Sequence, residues 1–227
     1  MRVGMAIFIW SVMVGSAIET HDPIATKVTW TGDIARIFQA RCVSCHRAGS
    51  VNPMPLTTYE EVRPWASAIR QQVLSRKMPI WHAARGFGEF ANDPSLSPFH
   101  IALIAAWANA GGPRGSDREA ASVPNAIVPL SDVTARIANT RERSLACGTE
   151  PLAGRLLAVK PQLEPGASVT ITAVLPDGRH EIIVWIRDYD PRYPTTYWLR
   201  TPLTLTRGSR LEMAATSPCR IVATVAR

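Results

Sequence analysis

The hydrophobic period of this chain changes once, and that change divides it. Between residues 31 and 113 apolar side chains recur at helical spacing, whereas beyond about residue 129 they recur at a spacing near two. The stretch between, from Pro113 to about Pro129, holds Gly, Ser, Pro and charged residues without any period, the composition of a linker. A chain of 227 residues is long enough to bury two modest cores. The expected fold class is therefore α + β in two domains: a small all-α domain over 29–113, a linker over 114–139 and an antiparallel β-sandwich over 140–227.

In the first half, Asp33 is placed to cap a short helix that presents Ile34, Ile37 and Phe38 on one face and ends at Arg41 and Cys42. Thr58 and Glu61 spell a capping box, but Pro64 lies too deep for an uninterrupted helix, so one turn and a restart are expected. From there Trp65, Ile69 and Val73 recur every fourth residue. A third helix carries Ser97 as cap, Pro98 at its first position, an apolar body from Ile101 to Trp107 and Gly111, Gly112 and Pro113 as its stop. Its composition predicts deep burial.

In the second half, Val169, Ile171 and Ala173 alternate with Ser and Thr. Pro176, Asp177 and Gly178 then make a turn before the apolar run Ile182 to Ile186, which reads as a hairpin. Short strands are expected at Leu203 to Leu205, Leu211 to Ala214 and Ile221 to Val225. Cys147 and Cys219 lie near the two ends of this region, and an oxidising compartment favours a bridge between them.

The residues Cys42, Val43, Ser44, Cys45 and His46 spell C-x-x-C-H, the pattern of covalent c-type haem attachment. Two thiols must reach the two vinyl groups on one edge of a porphyrin while the imidazole rises beneath the iron. Thiol exchange is the rival reading of C-x-x-C, but such motifs open a helix after a strand, and this one closes a helix. A six-coordinate iron needs a second axial ligand, and thioether sulfur opposite imidazole raises the potential. Met54, Met78, His82 and His100 lie downstream; Met78, followed by Pro79 just after the Trp65 helix, is favoured, with His82 and Met54 as rivals. His100 falls in the first turn of a helix and is given no role. Trp65, Trp81 and Trp107 read as core and haem-pocket packing, and Asp188, Asp190 and Arg192 as a charged loop suited to a partner surface.

Arg2, the apolar run Met5 to Val14 and the small residues Gly15, Ser16 and Ala17 have the layout of a signal peptide over 1–18. The expected location is periplasmic, with no stable membrane span after cleavage. A formal charge of +7 invites a nucleic-acid reading, yet Lys and Arg are scattered singly, so no nucleic acid is expected. The basic balance suits haem propionates or an acidic redox partner.

Residues Thr29 to Pro113, including RCVSCHRAGSVNPMPLTTYEEVRPWASAIRQQVLSRKMPIWHA and GEFANDPSLS, resemble the cytochrome c module found ahead of copper type II, ascorbate-dependent monooxygenase-like domains in exported bacterial proteins. That resemblance implies the methionine of the MP-W segment, Met78, as distal ligand. The stretch VLPDGRHEIIVWIRDYDPRYPTTYWLRTPLTLTRGSRLEM is more faintly similar to the carboxy-terminal sandwich of the peptidylglycine-monooxygenase-like fold. Members able to hold copper there carry a His-Met-His segment before the PDG hairpin, where this chain has Lys160, Pro161, Gln162 and Leu163. His180 is the one histidine of the second half, reads as an exposed strand residue, and cannot build a type II copper site alone. The expectation is one covalent haem c on Cys42, Cys45 and His46, completed by Met78, in an electron carrier with an unidentified redox partner protein. Copper is unlikely on this count of ligands; a peroxidase or monooxygenase-like oxidoreductase is the alternative.

Overall fold

The computed structural model describes residues 27–50, 54–116 and 139–226. The expected signal segment and nearly all of the expected linker lie outside the described residues. The structure is mixed, with a few short helices and two antiparallel four-stranded sheets.

The first helix begins earlier than Asp33 predicts. Thr29 is the cap, accepting from the Gly32 N–H at 3.0 Å, and Asp33 reaches back to accept from the Thr29 N–H at 3.3 Å. This reciprocal pair opens a wide π turn, Trp30–Ile34, that runs into α1, Ala35–Arg41. Asp33 thus caps from inside the turn. The Thr58/Glu61 capping box forms as the sequence indicates, opening the single turn α2, Tyr59–Val62. Pro64 then falls in a 3₁₀ turn, Arg63–Trp65, before α3, Ala66–Leu74.

The last helix, α4, Pro98–Asn109, is capped by Ser97, whose hydroxyl accepts from the His100 N–H at 3.1 Å. It is not deeply buried. Ile104 and Trp107 are, but Phe99 remains 67% exposed, because α4 packs only on one side, against α3 and the π turn. Trp107 stands beside Trp30, which also touches Phe38 and Tyr59, and these rings form the centre of the helical core. The segment after α4 closes over it: Pro113 O accepts from both the Trp30 N–H and the Trp107 indole, and Gly112 O from the Tyr59 hydroxyl. Trp65, expected in a pocket, is instead 49% exposed.

The sandwich is built from β1 (Thr140–Ala146), β2 (Gly148–Pro151), β3 (Gly154–Gln162), β4 (Val169–Val174), β5 (His180–Ile186), β6 (Tyr197–Leu205), β7 (Arg210–Ala215) and β8 (Arg220–Ala226). One sheet has the order β1-β8-β3-β6, the other β2-β7-β4-β5. Their facing sides share one core that includes Leu156, Val159 and Val225 from the first and Ile171, Ile186 and Met213 from the second. The β4–β5 hairpin and the strands around 203, 211 and 221 stand where the alternation put them.

Three strands were not legible. Among them β3 is central, pairing with both β6 and β8. Its run Leu156, Leu157, Ala158 and Val159 is buried throughout because the register shifts between Leu156 and Ala158, which breaks the two-residue alternation.

The chain crosses from the first sheet to the second between β1 and β2, and back between β7 and β8. Cys147 and Cys219 sit at these two crossings and form a disulfide, with Cα atoms 5.3 Å apart. The other side of the sandwich, where β5 and β6 are the edges, is covered by a strap from the helical half. His82 O accepts from the Arg187 N–H, and the Ala84 N–H donates to Trp185 O at 2.7 Å. The Ala91 N–H donates to Trp198 O and the Arg200 N–H to Glu89 O, each at 2.8 Å. Trp81, Ala83 and Phe90 consequently pack with the sandwich core. Trp81, expected in core and haem-pocket packing, packs on Tyr197 and Phe90 in the sandwich core.

The disulfide closes a separation of 72 residues, so replacing both Cys147 and Cys219 by Ser is expected to cost the sandwich about 4 kcal/mol of unfolding free energy. A urea titration that finds the double variant as stable as the parent would show that the crossings need no staple.

Candidate functional site

The C-x-x-C-H segment forms a tight turn at the end of α1. The Cys42 N–H donates to Phe38 O at 2.8 Å, ending the helix, and Cys42 O then accepts from the N–H groups of Cys45 (3.1 Å) and His46 (2.8 Å). Val43 is buried beneath the turn, which leaves Cys45 exposed and His46 partly so. The two thiols are not joined to each other. Burial pushes the Cys42 thiol up to about 12, with Cys45 adding to the shift and Arg41 opposing it.

His46 is oriented by the chain downstream: its Nδ1 lies 3.0 Å from Met54 O. A carbonyl oxygen can only accept, so Nδ1 carries the proton and Nε2 keeps its lone pair. This is the hydrogen bond that fixes a ligating imidazole. Met54 therefore serves the site through its backbone. Pro55, by holding the residue before it extended, was the available sequence signal for that.

Met78 lies elsewhere. After α3 the Arg76 N–H bonds to Val73 O and the Lys77 N–H to Gln72 O, a Schellman motif with Arg76 in the left-handed region at φ 55°. This reversal carries Met78 into the wall of a cavity of about 110 Å³ lined also by Val73, Trp81, Leu96 and Ile101, with Arg76 and Arg85 among its walls. Cys42, Cys45 and His46 do not line it. The Arg41 guanidinium, donating to Asp93 O at 2.7 Å, ties the end of α1 to the segment that leads into α4.

His82 turns away from this cavity. Its Nε2 accepts from the Asp190 N–H at 3.3 Å, and its ring packs on Tyr189 at the sandwich end. The Nδ1 that must then carry the proton is buried without a partner among the described residues. His100 keeps its place in the first turn of α4, and His180 is an exposed first residue of β5. Asp190 and Arg192 form an ion pair at 2.6 Å. A second cavity, of about 400 Å³, is lined by Lys160, Pro161, Gln162, Leu163 and Tyr189, among others. Among the described residues no three His, Cys, Asp or Glu side chains gather as a metal cluster, and no helix is long and apolar enough to cross a membrane.

No known family, curated protein or solved structure matches the chain.

Burial lowers the His82 pKa from its ordinary 6.5, against the opposing pull of Asp190 and Asp188. The unfolded chain then binds this proton more readily, so the contribution to stability is complete above 6.5 and is lost as pH falls through the depressed folded value. Thermal midpoints of the parent are expected to fall below 6.5, before the carboxylates titrate, and those of His82→Phe to stay flatter over the same range. Parallel curves would remove His82 from the acid response.

Proposed function

We propose that this chain is an exported c-type cytochrome whose one haem is attached through Cys42 and Cys45 and ligated by His46 and Met78, and that it transfers electrons. The observation that carries the reading is the His46 Nδ1 bond to Met54 O within a C-x-x-C-H turn, which leaves Nε2 as the free donor beside two unbridged thiols. Burial that raises the Cys42 pKa counts against thiol exchange, which depends on a lowered one. The smaller cavity is well below the ~300–1,000 Å³ of pockets that enclose whole ligands, so a porphyrin would stand largely outside it.

The bound haem supplies a one-electron couple with four nitrogen ligands of its own, so the protein needs only axial donors. Within the helical half, read as a cytochrome c module, His46 and Met78 would be the residues that hold the iron. Val73, Leu96 and Ile101 exclude water on the Met78 side, which favours a higher potential. Arg76 and Arg85, which line the same cavity as Met78, would offer cations to propionate carboxylates. No proton or bond rearrangement is asked of any side chain. The peroxidase or monooxygenase-like alternative would require a displaceable distal ligand or copper.

An absorption spectrum of protein secreted by a haem-attaching host tests this. Covalent haem is expected, lost in Cys42→Ser/Cys45→Ser, with the weak long-wavelength sulfur-to-iron band of a His/Met centre in the oxidised state. Met78→Ala should abolish that band and lower the potential; an unchanged spectrum assigns the position to another residue. High-spin resting iron with peroxide turnover, or stoichiometric copper, would support the enzyme instead.

A further inference from the structure

Resting on the haem reading above, we propose that the β-sandwich is the scaffold that positions the distal ligand, with Trp81, Gly88 and Asn92 as the positioning residues. Among the described residues, the backbone at Met78 is hydrogen-bonded to the helices from behind, by the Lys77 and Met78 N–H groups on Gln72 O at 3.0 and 3.3 Å. Ahead of it, Trp81 is the first residue with a firm seat, and that seat is in the sandwich. Its ring stands 4.7 Å from Tyr197 and 5.7 Å from Phe90. From His82 to Asn92 the backbone is held by β5, β6 and the segment leading into β6. The Asn92 side chain closes the strap twice, donating to Thr196 O at 2.7 Å and accepting from the Trp198 N–H at 3.1 Å. The next ties back to the helical half are Arg41 on Asp93 O and Arg85 on Leu96 O.

The Met78 segment is thus a short span between two supports, one on each half of the molecule. Methionine is unbranched and has three rotatable bonds, so its sulfur is aimed only as well as the backbone beneath it is fixed. Removing the forward support frees the thioether to leave the iron, and an external ligand then competes in proportion to the detached fraction.

Gly88 offers a way to disturb the strap ten residues from Met78. It has φ +81°, and a Cβ there would collide with the Ile183 carbonyl and the Phe90 ring. The experiment uses the full-length haem-loaded protein in five forms: parent, Met78→Ala, Gly88→Ala, Trp81→Ala and Trp81→Phe. Four quantities are read: haem content, the sulfur-to-iron band, the midpoint potential and carbon monoxide affinity of the reduced iron.

Haem content should be equal throughout. Gly88→Ala and Trp81→Ala should weaken the band and lower the potential toward Met78→Ala. Each should bind carbon monoxide about tenfold more tightly than the parent, a tenfold rise in detached iron. Trp81→Phe, which keeps a ring against Tyr197, should restore most of the parent behaviour. If Trp81→Ala does not fold, Asn92→Ala, which removes two hydrogen bonds and no core volume, takes its place with the same expectation.

Parent-like band, potential and carbon monoxide affinity in Trp81→Ala, or in Asn92→Ala as its substitute, overturn the scaffold role while leaving the haem reading intact. Absence of attached haem, or a Met78→Ala spectrum identical to the parent, overturns the haem reading and this proposal with it.

Discussion

A sheet edge is a row of unpaired amides and carbonyls, and two stacked four-stranded sheets present four such rows. Here β1 and β2 form the edges on one side, joined at the corner where the Cys147–Cys219 disulfide sits. On the opposite side β5 and β6 have no such staple, and the strap from residue 82 to 92 takes its place. Each buried backbone pair contributes about 1 kcal/mol net, and each unmade one leaves a larger penalty. The strap therefore couples the helical half to the sandwich far more firmly than the exposed Arg200–Glu89 ion pair does.

This pairing makes the two halves of the sequence interdependent. Trp81, Ala83 and Phe90 lie within the segment whose period is helical, yet their burial is supplied by β-strands more than ninety residues later. In return β5 and β6 have their outer hydrogen-bonding groups satisfied by chain that the helices must deliver in register. Gly86 and Gly88, both at positive φ, let that chain turn between the two edges. The close approach at Gly88 leaves no room for a side chain.

What the sequence made legible follows the same logic. Capping at Thr58, Glu61 and Ser97, the glycine stop after α4 and the β4–β5 hairpin are local, decided by side chains within a few residues of the backbone they serve. The C-x-x-C-H turn is local too, and the structure places its two thiols and imidazole in one turn. The missed features are non-local. No pattern within 82–92 marks it as edge-pairing, because its apolar residues Ala83, Ala84, Phe87, Phe90 and Ala91 are broken up by Arg85, Gly86, Gly88 and Glu89 without a sustained alternation. The bulged β3, with Pro161 near its end, carries neither alternation nor a strand-like composition. Trp65 departs from its expected burial, and Trp81 is packed but against the sandwich, because an aromatic residue announces burial without saying against what.

Arg76 shows how a local rule can be broken near the proposed site. Two helices end in the same hydrogen-bond pattern, yet α4 uses Gly111 at its left-handed position while α3 uses Arg76. A side chain there costs roughly 1 kcal/mol or more relative to glycine. Arg76 lines the Met78 cavity together with Arg85, and among the described residues neither has a carboxylate partner in an ion pair. Under the proposed haem reading, a propionate carboxylate would be the partner of Arg76 and Arg85, and that charge pair would offset the cost of a side chain at the left-handed position.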